Sequence, residues 1–510
     1  MTTGWFALDL LLLWALYELV RSVVVRRIKE AWRVSASRFV RQHRIQLESA
    51  SFIDRVWVRE ALAQDPSIER AIADLATRTE DSVRELRKRA DVYAEEIAPF
   101  FSMSAYYRFG ASLGRRFLDF LFELVVEPGG FEKQLEHVPE GAVRVYVMNH
   151  RANIDPVVIA YGLLRHVPMS YAVGEWALVW PLHTIFRAFG SYFVRRGEKD
   201  PLYHAVLRRF VQLIAGRGAV TGFFIEGGLS RDGKLRRPRT GLLDYLIGLR
   251  HDFPDREIVF MPVGLNYDRV FEDRILTKEA NGPIPKPTAM ERLVNGLAVL
   301  FWLPQLVVAN LLRVATRSHR KFGYAAVAFG KPLKLSDWPG GSEVHTLPDD
   351  ARKEALEALG TELLVRRIGA VIPATPVPVF CEALRRSGDK DRGSITLRAR
   401  EVLAELRGAG APLQWGEAGA RIEELRASHS DAPSIHEAFD TQLLDHQEAE
   451  ILVELAGPSL VRRRVLRRVV TPTGKGYEPV DDAAEVLVDY YANSLAHHLP
   501  TTSDDRAAAG

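Results

Sequence analysis

A histidine and an aspartate stand five positions apart in Asn149-His150-Arg151-Ala152-Asn153-Ile154-Asp155, directly after the apolar run 145–148. A strand that ends in a short turn with this spacing brings the carboxylate back onto one imidazole nitrogen. The other nitrogen is then free to take a proton from a substrate hydroxyl, the orienting half of a general-base dyad. An ordinary imidazole pKa of about 6.5 suits that work near neutral pH.

Three more segments follow in order. Gly190-Ser191-Tyr192-Phe193-Val194 is a β-favouring run that ends in Arg195 and Arg196. Phe223-Phe224-Ile225 leads into Glu226, Gly227, Gly228, Leu229, Ser230 and Arg231. Ile258-Val259-Phe260-Met261 reads as a buried strand that Pro262 closes. Arg forks match phosphate oxygens and glycines admit backbone N–H groups, so Arg195, Arg196 and Arg231 beside these glycines point to an anion site. A carboxylate between an apolar run and two glycines is costly unless paired or bound to substrate hydroxyls. Glu226 is therefore expected to bind substrate hydroxyls or to pair with Arg195, Arg196 or Arg231. Ser230 is expected to cap its loop.

Together the four segments resemble the ordered blocks of the glycerolipid acyltransferase superfamily, whose first block is a His, four residues and an Asp. Ala94-Glu95-Glu96-Ile97-Ala98 upstream, with Asp489-Tyr490-Tyr491-Ala492-Asn493 and His497 near the end, are similar to the flanks of glycerol-3-phosphate acyltransferases. The resemblance implies an acyl chain moved from an acyl thioester, acyl-CoA or acyl carrier protein, to the sn-1 hydroxyl of glycerol 3-phosphate. His150 would be the base and Asp155 its orienter. Arg151, Arg195, Arg196, Glu226, Gly227, Gly228, Ser230 and Arg231 would surround the substrates, with Glu226 binding the acceptor or ordering the site. Three positions depart from the usual blocks: Ala152 where Ser is usual, Pro156 for an aromatic, and Leu229 for Arg. These leave open dihydroxyacetone phosphate, lysophosphatidate or another lipid alcohol as acceptor, and a non-catalytic membrane scaffold as a different class. No serine or cysteine stands in a Gly-x-Ser-x-Gly elbow, so direct attack by the acceptor is expected rather than an acyl-enzyme. No cofactor beyond the thioester co-substrate is implied, and no His/Cys/Asp/Glu cluster has metal-ligand spacing.

The elements that must position these residues form an α/β fold, with a mixed β-sheet of the acyltransferase type flanked by helices. Strands are predicted over 142–148, 169–173, 191–194, 220–225, 258–263 and 325–329, alternating with helical stretches. The reactive blocks then follow strand ends, where open α/β sheets place their ligands. An N-terminal helical region, 31–101, is predicted to hold helices 66–76, which Asp65 caps, and 79–97. After the α/β domain, 102–337, a mainly helical C-terminal domain over 342–500 is predicted to hold helices 352–368, 396–406, 418–427 and 483–497. Residues 501–510 read as a disordered tail. No catalytic cluster is expected beyond residue 350, and His497 and His498 are expected in a polar role at a helix end.

Of the 510 residues 47% are hydrophobic, ample for a large core. The net charge of +3 gives no argument for nucleic acid. The single cysteine, Cys381, excludes an internal disulfide and reads as a structural thiol. Residues 5–20 are apolar but short of a span, and Arg21, Arg26, Arg27 and Lys29 follow them. Residues 1–30 are therefore expected to associate with the cytoplasmic face of a membrane. Residues 293–312 carry no charge but contain Pro304, and are expected to dock on one leaflet or cover an acyl groove.

Overall fold

In the computed structural model the described residues are 55–98, 115–163, 169–174, 191–195, 197–280, 282, 321–416 and 437–500, with the single positions 419, 422 and 424. Three helices open it: α1 (Arg55–Ala63), α2 (Pro66–Arg78) and α3 (Val83–Ile97). Asp65 caps α2 as expected, its carboxylate accepting from Ser67 N at 2.9 Å. The next helix starts at Val83 rather than at 79. Ser82 and Glu85 form a capping box there, with Ser82 N donating to Glu85 Oε2 at 2.9 Å, and this sets the start.

The α/β region then runs α4 (Arg115–Leu121), β1 (Glu123–Val126), α5 (Gly130–Leu135), β2 (Val143–Met148), α6 (Asp155–Leu163), β3 (Met169–Gly174), β4 (Tyr192–Val194), α7 (Pro201–Gly216), β5 (Val220–Phe224), α8 (Gly241–Ile247), β6 (Ile258–Tyr267), α9 (Asp273–Ala280), β7 (Tyr324–Phe329) and β8 (Leu333–Lys334). The sheet order is β1-β7-β6-β2-β5-β3-β4, with β8 also paired to β6. Strands β6, β2, β5, β3 and β4 are parallel neighbours, while β7 and β8 run antiparallel to β6. All six predicted strands are present. The short β1 and two-residue β8 carry too little apolar pattern to stand out in sequence.

Pro262 does not close its strand, because β6 continues to Tyr267. On one edge β6 pairs with β8 up to Phe260 and with β7 from Val263 onward. Pro262 lies in the gap, its carbonyl facing that edge and accepting from Gly330 N at 2.9 Å and Gln134 Nε2 at 2.8 Å. Its missing N–H faces the same gap, where the ladder needs no donor.

The central strands are apolar throughout because both faces are covered. Val143, Val145 and Val147 of β2 pack with Ile258 and Phe260 of β6 against α2, α3 and α7, through residues such as Ile72, Leu86 and Phe210. Tyr146 and Met148 join Met261, Val263 and Tyr267 on the other face, with Phe131, Val158 and helices from the end of the chain.

Those later elements are α10 (Asp349–Thr361), continued by a π-helical stretch Glu362–Ile368, then α11 (Pro376–Arg386), α12 (Arg392–Gly408), α13 (Glu437–Arg462), β9 (Leu466–Thr471), β10 (Gly474–Pro479) and α14 (Asp482–Asn493). The antiparallel hairpin β9–β10 departs from the helical expectation. Its outer positions are mostly charged and exposed, so its period-2 apolar signal is weak. Helix α14 ends at Asn493, short of the expected 497. The predicted helix 418–427 falls almost wholly outside the described residues. Phe380, Leu403, Leu452 and Tyr491 share the sheet's core. Among the described residues no helix is long and apolar enough to cross a membrane. The apolar runs 5–20 and 293–312 lie outside them.

Candidate active site

Parallel pairing of β2 and β5 sets Met148 beside Phe224, so the chain two residues further on sets His150 beside Glu226. On the other side β6 sets Val263 beside Met148 and runs on past the end of β2. Asn149 fills the gap with its side chain: Leu265 N donates to Asn149 Oδ1 at 2.8 Å, and Asn149 Nδ2 donates to Leu265 O at 2.9 Å. The backbone is thereby released into the turn that carries His150.

That turn folds around the Asp155 carboxylate. Oδ2 accepts from Arg151 N at 2.7 Å and Ala152 N at 3.0 Å, and faces His150 Nδ1 at 2.9 Å. Oδ1 accepts from Tyr267 Oη at 2.6 Å. Asp155 also opens α6, where the helix dipole favours a negative charge. Because the carboxylate only accepts, Nδ1 carries the proton and Nε2 presents its lone pair. Nε2 has no partner among the described residues. Burial, then Asp155, pushes the Tyr267 hydroxyl well above its ordinary pKa, so it remains a donor.

His150 is 4% exposed and its ring stacks on Phe224, centroids 4.1 Å apart. It borders a recess of about 90 Å³ lined by Pro156, Val173, Val194, Phe224 and Leu242 among others. A buried imidazole beside an apolar hollow suits proton transfer in a water-poor setting.

Of the alternatives for Glu226 the described residues show the site-ordering one, while Arg195 and Arg231 pair with Glu96 and Glu279 instead. Oε1 accepts from His150 N at 2.8 Å and Oε2 from Arg236 N at 2.8 Å. Burial raises its pKa above the ordinary carboxylate value, opposed by the Arg151 charge and these two amides. It thus ties the backbone of the base to the loop after β5. In that loop Gly227 has φ +64°, and a Cβ there would lie 2.7 Å from the Arg239 side chain, so only glycine fits comfortably. Gly228 is buried in the same turn. Ser230 caps the loop, its hydroxyl donating to Lys234 O at 2.7 Å and its N–H to His150 O at 3.3 Å.

The arginines are more dispersed. Arg151 is 2% exposed, and its guanidinium donates to Gly233 O and to Ser494 O, the latter at 3.4 Å. Arg195 forks onto Glu96 of α3 at 2.8 and 2.5 Å and also meets Glu198 at 3.2 Å. Arg231 is half exposed and donates through Nε to Glu279 at 3.0 Å. Arg196 lies outside the described residues.

Tyr267, Asn149 and Phe224 join the site although sequence reasoning assigned them no role. Phe224 stood inside a quoted block; Tyr267 lay beyond the proline taken as a strand end. From beyond residue 350 the Ser494 carbonyl also reaches the site, accepting from the Arg151 guanidinium, a contact that nothing in its sequence context advertises. His498 follows α14 and pairs with Ile372 O at 2.8 Å, the polar helix-end role expected of it. Cys381 is a buried free thiol whose pKa burial drives up. Among the described residues no group of three or more His, Cys, Asp and Glu side chains could hold a metal ion.

Residues 131–266, which contain the His150–Asp155 turn and Glu226, match the Acyltransferase family. The chain is similar to the glycerol-3-phosphate acyltransferase of Aeromonas hydrophila, 31% identical over 312 residues, and to that of Shewanella denitrificans, 29% identical over 314 residues. Each match covers 60% of this chain and 36% of the relative, so the shared part spans well under half of the relatives' length. A solved structure, the 1-acyl-sn-glycerophosphate (LPA) acyltransferase PlsC from Thermotoga maritima, is 15% identical with a TM-score of 0.28, covering 60% of this chain and 94% of that one. Residues 131–266 thus match the Acyltransferase family, within a chain similar over 60% of its length to glycerol-3-phosphate acyltransferases.

Proposed function

We propose that the protein transfers a fatty acyl group from an acyl thioester to the sn-1 hydroxyl of glycerol 3-phosphate. The observation that carries this reading is the His150 imidazole, pinned at Nδ1 by Asp155 beside an apolar recess, with Nε2 unpartnered among the described residues. In the reaction Nε2 takes the hydroxyl proton as the oxygen attacks the thioester carbonyl. The tetrahedral intermediate collapses, the C–S bond breaks, and the imidazolium returns its proton to the departing sulfur. Asp155 stabilises the imidazolium and holds the tautomer. A positioned base of this kind contributes about 10² to 10⁴ in rate.

Acyl-CoA or acyl carrier protein would be the donor, with no further cofactor. For the acceptor phosphate we favour the arginines that follow the glycine-bearing segments, Arg196 and Arg231. Membrane association at the cytoplasmic face is supported by the apolar runs 5–20 and 293–312. Purified protein is assayed with labelled glycerol 3-phosphate and palmitoyl-CoA, wild type beside His150→Ala. Lysophosphatidate from the wild type alone is expected. Equal product from both would remove His150 from the mechanism. Activity confined to competing dihydroxyacetone phosphate or lysophosphatidate would reassign the acceptor.

A further inference from the structure

Arg151 joins two parts of the molecule that lie 343 residues apart. Its main-chain N–H holds Asp155 Oδ2, while its buried guanidinium reaches Gly233 O and Ser494 O. Ser494 is the C-cap of α14, at the negative end of the helix dipole. A buried cation needs such compensation, and the Glu226 charge adds to it.

We propose that α14 and its C-terminal turn are a positioning element for acyl transfer, acting on His150 through Arg151. This rests on the reading of His150 as the base.

Three further contacts fasten the element to the site. Asn493 Nδ2 donates to Asp232 O at 2.9 Å, holding the loop whose next carbonyl grips Arg151. Gly233, at φ +87°, approaches α14 so closely that a Cβ would lie 1.9 Å from Tyr490 O. Asn266 Nδ2 donates to Ser494 Oγ at 3.3 Å, one residue before the Tyr267 that holds Asp155 Oδ1. The helix end therefore bears on both carboxylate oxygens, one through Arg151 and the other through β6. Burial, then His498 and Arg151, drives His497 well below its ordinary pKa, so it stays neutral and adds no competing cation.

A helix that only stabilised the fold would show the same contacts, so the test reads the turn itself. Asn493→Ala releases the loop without touching His150 or Asp155. Arg151→Lys keeps the charge but loses the fork that spans two carbonyls. Hydrogen exchange is followed in the full chain, on peptides covering 149–156 and β2. In both variants the amides that clasp Asp155 are expected to exchange about tenfold faster, with β2 unchanged. Turnover is expected to fall about tenfold with both KM values held within about twofold. Wild-type exchange at 149–156 in both variants overturns the proposal. So does faster exchange throughout β2, which marks a general loss of stability. A rise confined to the acceptor KM in Arg151→Lys also overturns it, by making Arg151 a substrate ligand. The exchange result stands whether or not the wild type makes lysophosphatidate, so failure of the functional reading is seen separately.

Discussion

Tyr267 Oη donates to Asp155 Oδ1 at 2.6 Å, across 112 residues of sequence. The bond leaves Oδ2 to His150 and the two turn amides, so each carboxylate oxygen has its own task. Both groups are buried, and a hydrogen bond to a charged partner in such a place contributes about 1.5–3 kcal/mol. Tyr267→Phe is expected to lower stability by about that amount in urea unfolding, and to lower kcat about tenfold with little change in KM. Wild-type turnover in the variant would show that Oδ2 alone orients the base.

Asp155→Asn tests the orienting role more severely. An amide in that place sets an N–H against Arg151 N, Ala152 N or the Tyr267 hydroxyl, or else reverses the His150 tautomer. A kcat reduced about 10²- to 10⁴-fold, with acceptor and donor KM within a few-fold, is expected from steady-state kinetics. A kcat within about threefold of wild type would sink the dyad.

Arg195 separates a substrate role from a structural one. Its fork lies on Glu96 and its charge stacks over the Tyr93 and Tyr203 rings, 5.4 and 5.7 Å from the centroids. As a partly exposed pair it is expected to contribute about 1 kcal/mol, so Glu96→Gln and Arg195→Ala should each destabilise by about that much and the double variant little more. The acceptor KM should then be unchanged in Glu96→Gln. A large rise in Arg195→Ala alone would return Arg195 to the phosphate site.

Asp268 gives a pH test away from the chemistry. Its carboxylate accepts from Tyr324 N at 3.0 Å and Val377 N at 2.9 Å, linking the end of β6 to β7 and to the start of α11. Burial pushes its pKa up to about 6, against an ordinary 3.8, although both amides oppose the rise. Between those values the folded state binds more protons than the unfolded chain. Its contribution is therefore full below about pH 4 and lost as pH rises to about 6, by about 3 kcal/mol in all. Asp268→Asn lacks this term. The stability of wild type minus variant should thus grow by up to about 3 kcal/mol between pH 6 and 4 in urea melts. A gap independent of pH would mean that the carboxyl titrates normally.

Glu226 shows how local the legible part of the site was. Its cost as a buried carboxylate was evident from the apolar run before it and the glycines after it. Its partners were not, because His150 N and Arg236 N meet it only through the β2–β5 register. Arg195 is a similar case: a fork beside glycines suggests a phosphate clamp, and only the fold brings Glu96, on a helix 99 residues earlier, onto it. The capping box at Ser82 and the continuation of β6 through Pro262 were both present as residue types, but the first was masked by helical periodicity and the second by proline's usual meaning.

What the chain determined by itself was the His150–Asp155 turn, the six apolar strands and the Asp65 cap. Each depends on residues within one turn or one strand, where spacing alone fixes which groups can meet. Tertiary structure decided which groups close around that turn: Tyr267 from β6, Glu226 from the loop after β5, and the carbonyl of Ser494 from the far end of the chain. Strand register and helix docking choose these partners, and both arise from burying whole faces of the sheet. No short stretch of sequence records that choice, since a backbone carbonyl such as Ser494 O looks the same at every position until packing aims it at a cation.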